Sequence, residues 1–308
     1  MNELPAPIRD DLSKARRLEY WTLGWQASIV VVMFLAMGSS QAMKSAWVED
    51  MLGLVPASVF LLALHYERKP PTEKFPFGFS RVNSLAFLVA AAALVFMALY
   101  LIYDAGMKLI HMEHPTIGAA PFFGPDVWMG WVMIAALLYS VVPPLILGRI
   151  KEPIAKRLQD KVLHTDALMQ KADWMTGVAG AFGVLGVGMG WWWADSVAAL
   201  IIAVDILKDG KNAFVIATAE LADGTPRKLD SDDIAEDVNK LRSSLHRQFG
   251  DSAELRFRES GRYIFVEVTT DKIDPVDLDS LWPEDDERDW RLANVSATLD
   301  RRRPTDDA

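Results

Sequence analysis

Hydrophobic residues are concentrated in the first two thirds of the chain, and charged residues are concentrated in the last third. Six segments of the first part are long and apolar enough for a helix to cross roughly 30 Å of hydrocarbon, which takes about 20 residues. They are residues 21–37, 46–64, 85–110, 127–147, 162–184 and 191–206. Because backbone polar groups are not left unpaired in lipid, each segment is predicted to be a transmembrane helix.

The last third of the chain alternates between helical and strand patterns. In order, the patterns predict a helix over 230–249, strands over 254–258 and 263–270, a short helix over 274–289 and a strand over 291–299. Ser260 and Gly261 separate the first two strands, which is typical of a hairpin. This order predicts a small α+β domain of the ferredoxin-like αββαβ type, with its helices on one face of the sheet.

The distribution of basic residues predicts the orientation of the spans. Lys and Arg occur in the N-terminal tail, between spans two and three, and between spans four and five, whereas residues 114–126 and 188–190 contain none. The loop residues are Arg68, Lys69, Lys74, Arg81, Arg149, Lys151, Lys156, Arg157 and Lys161. By the positive-inside rule both termini are cytosolic. We therefore expect a tail over 1–20, a membrane domain over 21–208 and a cytosolic domain over 209–308.

Composition excludes several classes of function. The formal net charge is -9, with acidic runs in the C-terminal third, so nucleic acid is not an expected partner. The chain has no cysteine, which excludes disulfides and thiolate metal sites. Residues 1–19 are polar and have no apolar core of their own, so they are not read as a cleavable signal. No nucleophile and base stand at motif spacing, so an enzyme is not predicted.

Charged residues at bilayer depth are the first candidates for function, because they are costly to place there. Glu49 and Asp50 lie in the second span, and Asp166, Met169 and Asp173 lie in the fifth. The spacing of three and then four residues puts the last three on one face of a helix, where they are able to line a cation path. The alternative is structural: Asp166 at the interface, Met169 as packing, and Asp173 bonded to a neighbouring helix.

Asp160 and His164 stand four residues apart at the start of the fifth span. A weak cation site is one interpretation of this spacing. The pattern favours a solvated surface pair instead, since such pairs are common at helix ends.

The chain resembles the cation diffusion facilitator family over nearly its whole length, and four stretches carry the resemblance. They are Phe77-Gly78-Phe79-Ser80-Arg81, Thr165 to Asp173, Trp193 to Leu200, and Leu221-Ala222-Asp223-Gly224-Thr225-Pro226. The resemblance implies six spans, a homodimer in the lipid bilayer, and efflux of a divalent cation in exchange for protons. Zinc is the first expectation, with manganese, iron or cobalt as alternatives, and no further cofactor is implied. A bacterial inner membrane is the expected location.

The chain departs from the family's transport-site pattern, which has two acids four apart on the second span and a His or Asp four before an Asp on the fifth. Asp173 matches the last acid, but Met169 stands where His or Asp is expected. On the second span, Gly53 takes the second acid's place if Glu49 is the first, and Ala46 takes the first acid's place if Asp50 is the second.

Asn83 stands where an acid is usual in the third span. The metal site is therefore expected to use Glu49 or Asp50 with Asp173, aided by Met169, Asp166 or water. A degenerate relative that senses a cation, or scaffolds a partner without transporting, is the alternative function.

Overall fold

The computed structural model describes residues 4–36, 41–112, 119–121, 126–271, 281–282 and 288–299. Within these residues, long helices build the N-terminal part of the molecule. They are α1 (Ala6–Ala36), α2 (Gln41–Glu67), α3 (Arg81–Ile110), α4 (Met129–Leu158), α5 (Lys161–Gly188) and α6 (Ala194–Leu221). A short antiparallel pair, β1 (Ala119–Pro121) and β2 (Asp126–Trp128), lies between α3 and α4.

Among the described residues, four helices are long and apolar enough to cross a membrane. They are Ala6–Leu35, Trp47–Glu67, Arg81–Ile110 and Gly130–Leu158, which correspond to α1 to α4. Four of the six predicted spans are therefore supported by length and composition. The other two segments are helical as well, since α5 and α6 are each 28 residues long, but they are not among the four helices selected by length and apolar composition. α5 packs against α2, α3, α4 and α6, which places it inside the group of helices.

Several helices continue beyond the ends that hydropathy predicts. α1 begins at Ala6 rather than near Trp21, because its polar first turns pair with α4: Arg157 Nε donates to Asp11 Oδ2 at 2.6 Å. α6 continues through the expected domain boundary at 209 and ends at Leu221. These extensions are polar, so the apolar pattern that predicts a span does not reveal them.

The C-terminal part is a small α+β unit. It contains α7 (Glu236–Phe249), β3 (Glu254–Ser260), β4 (Tyr263–Thr270), a 3₁₀ turn at Asp289–Arg291 and β5 (Leu292–Leu299). The sheet order is β3-β4-β5, with β3 antiparallel and β5 parallel to β4. This confirms the predicted helix, hairpin and third strand. The second helix predicted over 274–289 lies mostly outside the described residues.

One hydrophobic cluster joins the two parts of the molecule. Residues from α1, α2, α3, α5 and α6 pack in it together with Tyr263 of β4 and Trp290 of the 3₁₀ turn. The rings of Tyr263 and Trp290 meet edge to face, with centroids 6.2 Å apart. A separate cluster under the sheet includes Val238, Leu241 and Leu245 of α7. The C-terminal unit thus has its own core and also contributes to the core of the helices.

Candidate functional site

Asp50 of α2 and Asp173 of α5 are the central acids of the candidate site. Asp50 is 9% exposed and Asp173 is 7% exposed. Both carboxylate oxygens of Asp173, and Oδ2 of Asp50, have no hydrogen-bond partner within the described part of the chain. The helix α2, which carries Glu49 and Asp50, packs directly against α5. Buried carboxylate oxygens without partners are unfavourable by themselves, so the pair is suited to receive a cation or a proton.

Gly53 allows a third side chain to lie beside this pair. A Cβ atom at Gly53 would lie 3.0 Å from Asp173 Oδ2 and 2.7 Å from Gln26 Nε2. Gln26 belongs to α1, is 2% exposed, and donates Nε2 to the backbone carbonyl of Asp50 at 3.1 Å. Its amide therefore occupies the space that a side chain at position 53 would take. Sequence analysis missed Gln26, although a polar amide inside an apolar span was an available signal.

Glu49 has a different set of neighbours from the acid that follows it. It is 8% exposed and interacts electrostatically with Asp104, Lys108 and Asp195. Lys108 forms an ion pair with Asp104 one turn away on α3, and Asp195 lies in the first turn of α6. Adjacent residues on a helix point about 100° apart, which explains why the two acids of α2 have separate surroundings.

Met169 lies in an apolar environment. Its side chain is fully buried in a cluster with Leu94, Met97 and Ala98 of α3 and with Ala203 of α6. The helical spacing that links it to Asp173 is present, but these contacts are those of a packed core residue. The structural interpretation of Met169 therefore explains its observed neighbours.

Asp166 is paired with a lysine. It is fully buried and forms an ion pair with Lys151 of α4, whose Nζ also donates to Glu19 Oε2 of α1 at 2.9 Å. We call Glu19, Lys151 and Asp166 the buried triad; all three are 0% exposed. Sequence analysis assigned Lys151 to a cytosolic loop, so the ion pair that holds Asp166 was not foreseen.

Asp160 and His164 do not form the solvated surface pair that the sequence favours, so that prediction is wrong. Asp160 is 0% exposed and caps α5, its Oδ1 accepting from the backbone N–H of Leu163 at 2.9 Å. Its Oδ2 accepts from Arg262 Nε at 2.7 Å and from Asn83 Nδ2 at 3.3 Å. His164 is 8% exposed. An arginine distant in sequence pairs with Asp160, and the spacing of four residues carries no information about it.

The donor atoms determine what this site is able to bind. Asp50 and Asp173 offer carboxylate oxygens, which suit hard divalent cations better than soft ones. Within the described residues, no three His, Asp or Glu side chains converge on one point. A cation here would rely on the two carboxylates, with an amide or water completing its shell. The geometry thus fits a site that binds and releases an ion rather than one that holds it permanently.

Comparisons with known proteins show what the chain is similar to. The family model described as the cation efflux transmembrane domain matches residues 26–222. The manganese efflux system protein MneS of Bacillus subtilis is 22% identical over 234 residues, which cover 75% of this chain and 74% of that protein. The cation-efflux pump FieF of Shewanella oneidensis is 20% identical over 268 residues, covering 83% and 84%. The zinc transporter ZitB of Yersinia pseudotuberculosis is 26% identical over 193 residues, covering 61% and 54%.

Proposed function

Because the chain belongs to the cation diffusion facilitator family of cation efflux proteins, we propose that it exports a divalent metal cation in exchange for protons. The observation that carries this proposal is the buried pair of Asp50 and Asp173, whose oxygens have no partner within the described residues. The acids lie on different helices, so an ion held between them contacts two elements that are able to move relative to each other.

Exchange for protons follows from competition for the same oxygens. Binding of a divalent cation favours the ionised carboxylates of Asp50 and Asp173, and its departure favours their protonation. The amide of Gln26 does not titrate, so it holds the backbone of α2 beside the two carboxylates without taking up a proton. Proton and metal therefore alternate at the two carboxylates.

We propose manganese as the preferred cargo. Zinc was the first expectation from the sequence, yet zinc sites favour nitrogen and sulfur donors, and these residues offer oxygen. The relative named as a manganese efflux protein supports the same choice. Iron and cobalt are the remaining candidates within the same class of cation.

We further propose that α5 and α6 complete a six-helix membrane domain. Their helical form and their packing against α2, α3 and α4 support this arrangement, and the half-exposed charges near the middle of the two helices pair with each other, Lys171 of α5 with Asp205 of α6. The protein then acts as a homodimer in a bacterial inner membrane, with both termini in the cytosol and no enzymatic activity. The distribution of loop Lys and Arg supports this orientation.

A second function, cation sensing or scaffolding without transport, is favoured by one specific observation. Asp166 is bound by Lys151 and Met169 is enclosed by apolar side chains, so the site has fewer ligands than the family pattern. A site of two carboxylates is able to bind a cation weakly without moving it. A measurement of flux, and not a measurement of binding, distinguishes transport from sensing.

The test uses purified protein in proteoliposomes, with Mn²⁺ and then Zn²⁺ as cargo and a pH-sensitive dye inside. Asp173→Asn is expected to abolish both metal uptake and the coupled proton flux, because it removes one of two ionisable ligands. Asp205→Asn is the matched control, since Asp205 is 47% exposed and pairs with Lys171. Wild-type protein that binds Mn²⁺ but shows no flux would support sensing, and equal flux in both variants would reject Asp173 as a ligand.

A further inference from the structure

The turn between β3 and β4 inserts among the helix ends that face the C-terminal unit. We call Ser260, Gly261 and Arg262 the hairpin tip. Ser260 is 2% exposed and Arg262 is 3% exposed. The hydroxyl of Ser260 lies 3.0 Å from that of Ser80, next to the start of α3. A charged hairpin turn that is almost fully buried is unusual, because such turns normally lie in solvent.

Arg262 connects the two helices that carry the acids of the candidate site. Its Nη1 and Nη2 each donate to Glu67 Oε2 at 3.0 Å, and Glu67 is the last residue of α2. Its Nε donates to Asp160 Oδ2 at 2.7 Å, and Asp160 caps α5. Although burial opposes its charge, Glu67 and Asp160 raise the pKa of Arg262. One permanently charged side chain of the C-terminal unit thus ties the ends of α2 and α5 together.

Other contacts of the hairpin tip reach α3 and α6. The backbone N–H of Gly261 donates to Ser84 Oγ at 3.0 Å and to Glu220 Oε1 at 3.2 Å. Glu220 Oε2 also accepts from Lys161 at 3.1 Å, and Lys161 pairs with Glu259 of β3. The hairpin tip therefore contacts α2, α3, α5 and α6 through polar groups. No apolar side chain takes part in these particular contacts.

The chemistry of the contact suits a joint that opens. Buried ion pairs add little net stability, because desolvation offsets their attraction, whereas a half-broken pair is strongly penalised. Such a contact has two favourable states: fully docked, or fully separated with both sides hydrated. Apolar packing would stabilise a contact that stays closed more effectively than buried ion pairs do. The polar contacts of the hairpin tip therefore favour opening at this point, beside the apolar contacts that Tyr263 and Trp290 make with the helices.

We propose that the hairpin tip is a latch that closes the route between α2 and α5, and that Arg262 leaves Glu67 and Asp160 during each transport cycle. This inference rests on the proposed function, because a latch matters only if α2 and α5 separate to admit the cargo. Arg262 is a positioning residue in this scheme, since it contacts the helices and never the cation. Opening on this side requires the whole C-terminal unit to shift with its hairpin, so the apolar contacts of Tyr263 and Trp290 with the helices separate in the same step.

The chain offers a reversible way to lock the latch. It contains no cysteine, and the hydroxyls of Ser80 and Ser260 are 3.0 Å apart, so the double variant Ser80→Cys/Ser260→Cys is placed to form a disulfide. Mn²⁺ flux into proteoliposomes is measured on the same sample after oxidation and after reduction, with the disulfide confirmed by mass spectrometry. Each single cysteine variant serves as a control, and Mn²⁺ binding is measured by calorimetry in both redox states.

Oxidation of the double variant is expected to lower flux by at least about tenfold, because latch opening becomes impossible, while Mn²⁺ binding persists. Reduction is expected to restore the flux. Equal flux in the two redox states would overturn the latch alone. Absence of flux in the reduced variant and in the wild type would overturn the proposed function and the latch with it.

A second measurement does not depend on disulfide formation. Ala63→Cys places a thiol on α2 one turn before Glu67, where the native side chain is 1% exposed. Adding Arg262→Gln is expected to increase labelling of this thiol by a water-soluble maleimide severalfold, because the route beside it opens. Arg256→Gln is the matched control, since Arg256 is 70% exposed and pairs within β3 to Glu254. Unchanged labelling in the Arg262→Gln background would contradict the latch.

Discussion

At the scale of single residues, the absence of a side chain at Gly53 decides what surrounds Asp173. A Cβ atom there would press on both Asp173 and Gln26. The amide of Gln26 fills the space, so a neutral group stands at position 53, which is the second acid's place in the family pattern if Glu49 is the first. A cation bound between Asp50 and Asp173, as we propose, would have no third carboxylate from position 53. Two charges hold it less tightly, and weak binding makes release at the far side easier.

Restoring the missing acid tests this account. Gly53→Asp combined with Gln26→Ala is expected to tighten Mn²⁺ binding by about tenfold and to slow its release, because a third carboxylate joins the site. Gln26→Ala removes the amide that would otherwise meet the new side chain at 2.7 Å. Binding is measured by calorimetry and release by flux. Gln26→Ala alone is the control, and affinity in the double variant equal to that of the control would contradict the account.

The buried triad gives a prediction about stability. Lys151→Met leaves Glu19 and Asp166 buried without their cation, so we expect a loss of about 3–5 kcal/mol. Lys171→Met is the matched control: Lys171 is 42% exposed and pairs with exposed acids, so we expect about 0–1 kcal/mol. Thermal unfolding in detergent compares the two variants. Similar midpoints for both would show that the triad is not held by its ion pairs.

Sequence reasoning proposed the acids of the candidate site but did not predict the residues around them. Asp50 and Asp173 stood out because a charge at bilayer depth needs a reason. The lysine bound to Asp166 lies on another helix, and helical spacing describes only neighbours on the same helix. Met169 has the right spacing for a ligand, yet apolar side chains from α3 and α6 surround it. In both cases the surroundings of the side chain come from contacts between different helices, and such contacts leave no local pattern in the sequence.

At the scale of elements, glycines set how closely the helices approach. A Cβ atom at Gly183 of α5 would lie 2.5 Å from Asp195 Cβ of α6, whereas one at Gly180 would lie 3.5 Å from Leu137 Cδ1 of α4. Small residues at helix contacts are the usual means of close packing in membranes. α5 and α6 therefore meet with backbones closer together than most side chains permit.

Gly183→Ala and Gly180→Ala form a matched pair on one helix. Alanine favours the helix over glycine by about 1 kcal/mol at either position, so the two variants differ in their contacts. Gly180→Ala is expected to be neutral or stabilising, and Gly183→Ala to lower the unfolding midpoint, because α6 must move away. The measurement is thermal unfolding in detergent. A midpoint for Gly183→Ala at or above that of Gly180→Ala would refute the close approach.

Hydropathy predicted where helices lie better than where they end. The apolar stretches of α2, α3 and α4 were found because lipid selects for apolar residues over a fixed length. α4 continues to Leu158 and α6 to Leu221, where charged residues occur that pair with other parts of the chain. Lys151 and Lys161 were assigned to a loop for this reason, although both are buried in ion pairs. The end of a helix depends on tertiary partners, which hydropathy does not record.

At the scale of the whole molecule, composition predicted a helical part followed by a C-terminal α+β part, but it did not predict how the two parts contact each other. The shift from apolar to charged residues separates helices from sheet. Ser260 and Gly261 were predicted as an ordinary hairpin turn, and the turn is there. Nothing in its sequence indicates that it lies against Ser84 and Glu220, since those residues are distant along the chain. The contact between the helices and the C-terminal unit depends on two surfaces that fit each other, and neither surface is recognisable from its own stretch of sequence.

Gly261 provides a test of this contact with a matched control. Gly261 has φ +61°, and a Cβ atom on it would lie 3.0 Å from both Asn83 Cβ and the carbonyl oxygen of Ser80. Gly250 has φ +85° and nothing within 4 Å of such an atom. Alanine at either position carries the backbone cost of a positive φ, about 1 kcal/mol or more, and Gly250 also has ψ 160°, a region that glycine alone readily adopts. Only at Gly261 does the alanine side chain also press on α3.

We expect Gly261→Ala to loosen the hairpin tip from the helices while the sheet stays folded. Hydrogen exchange is the measurement, because it reports local opening at individual amides. Exchange at Gly261 and at the first turn of α3 is expected to rise in Gly261→Ala and to stay near the wild-type rate in Gly250→Ala. Equal exchange in the two variants would mean that the fold of the C-terminal unit, and not its contact with the helices, holds the hairpin tip in place. The ion pairs to α2 and α5 would then be a consequence of that fold and would not stabilise the position of the hairpin tip.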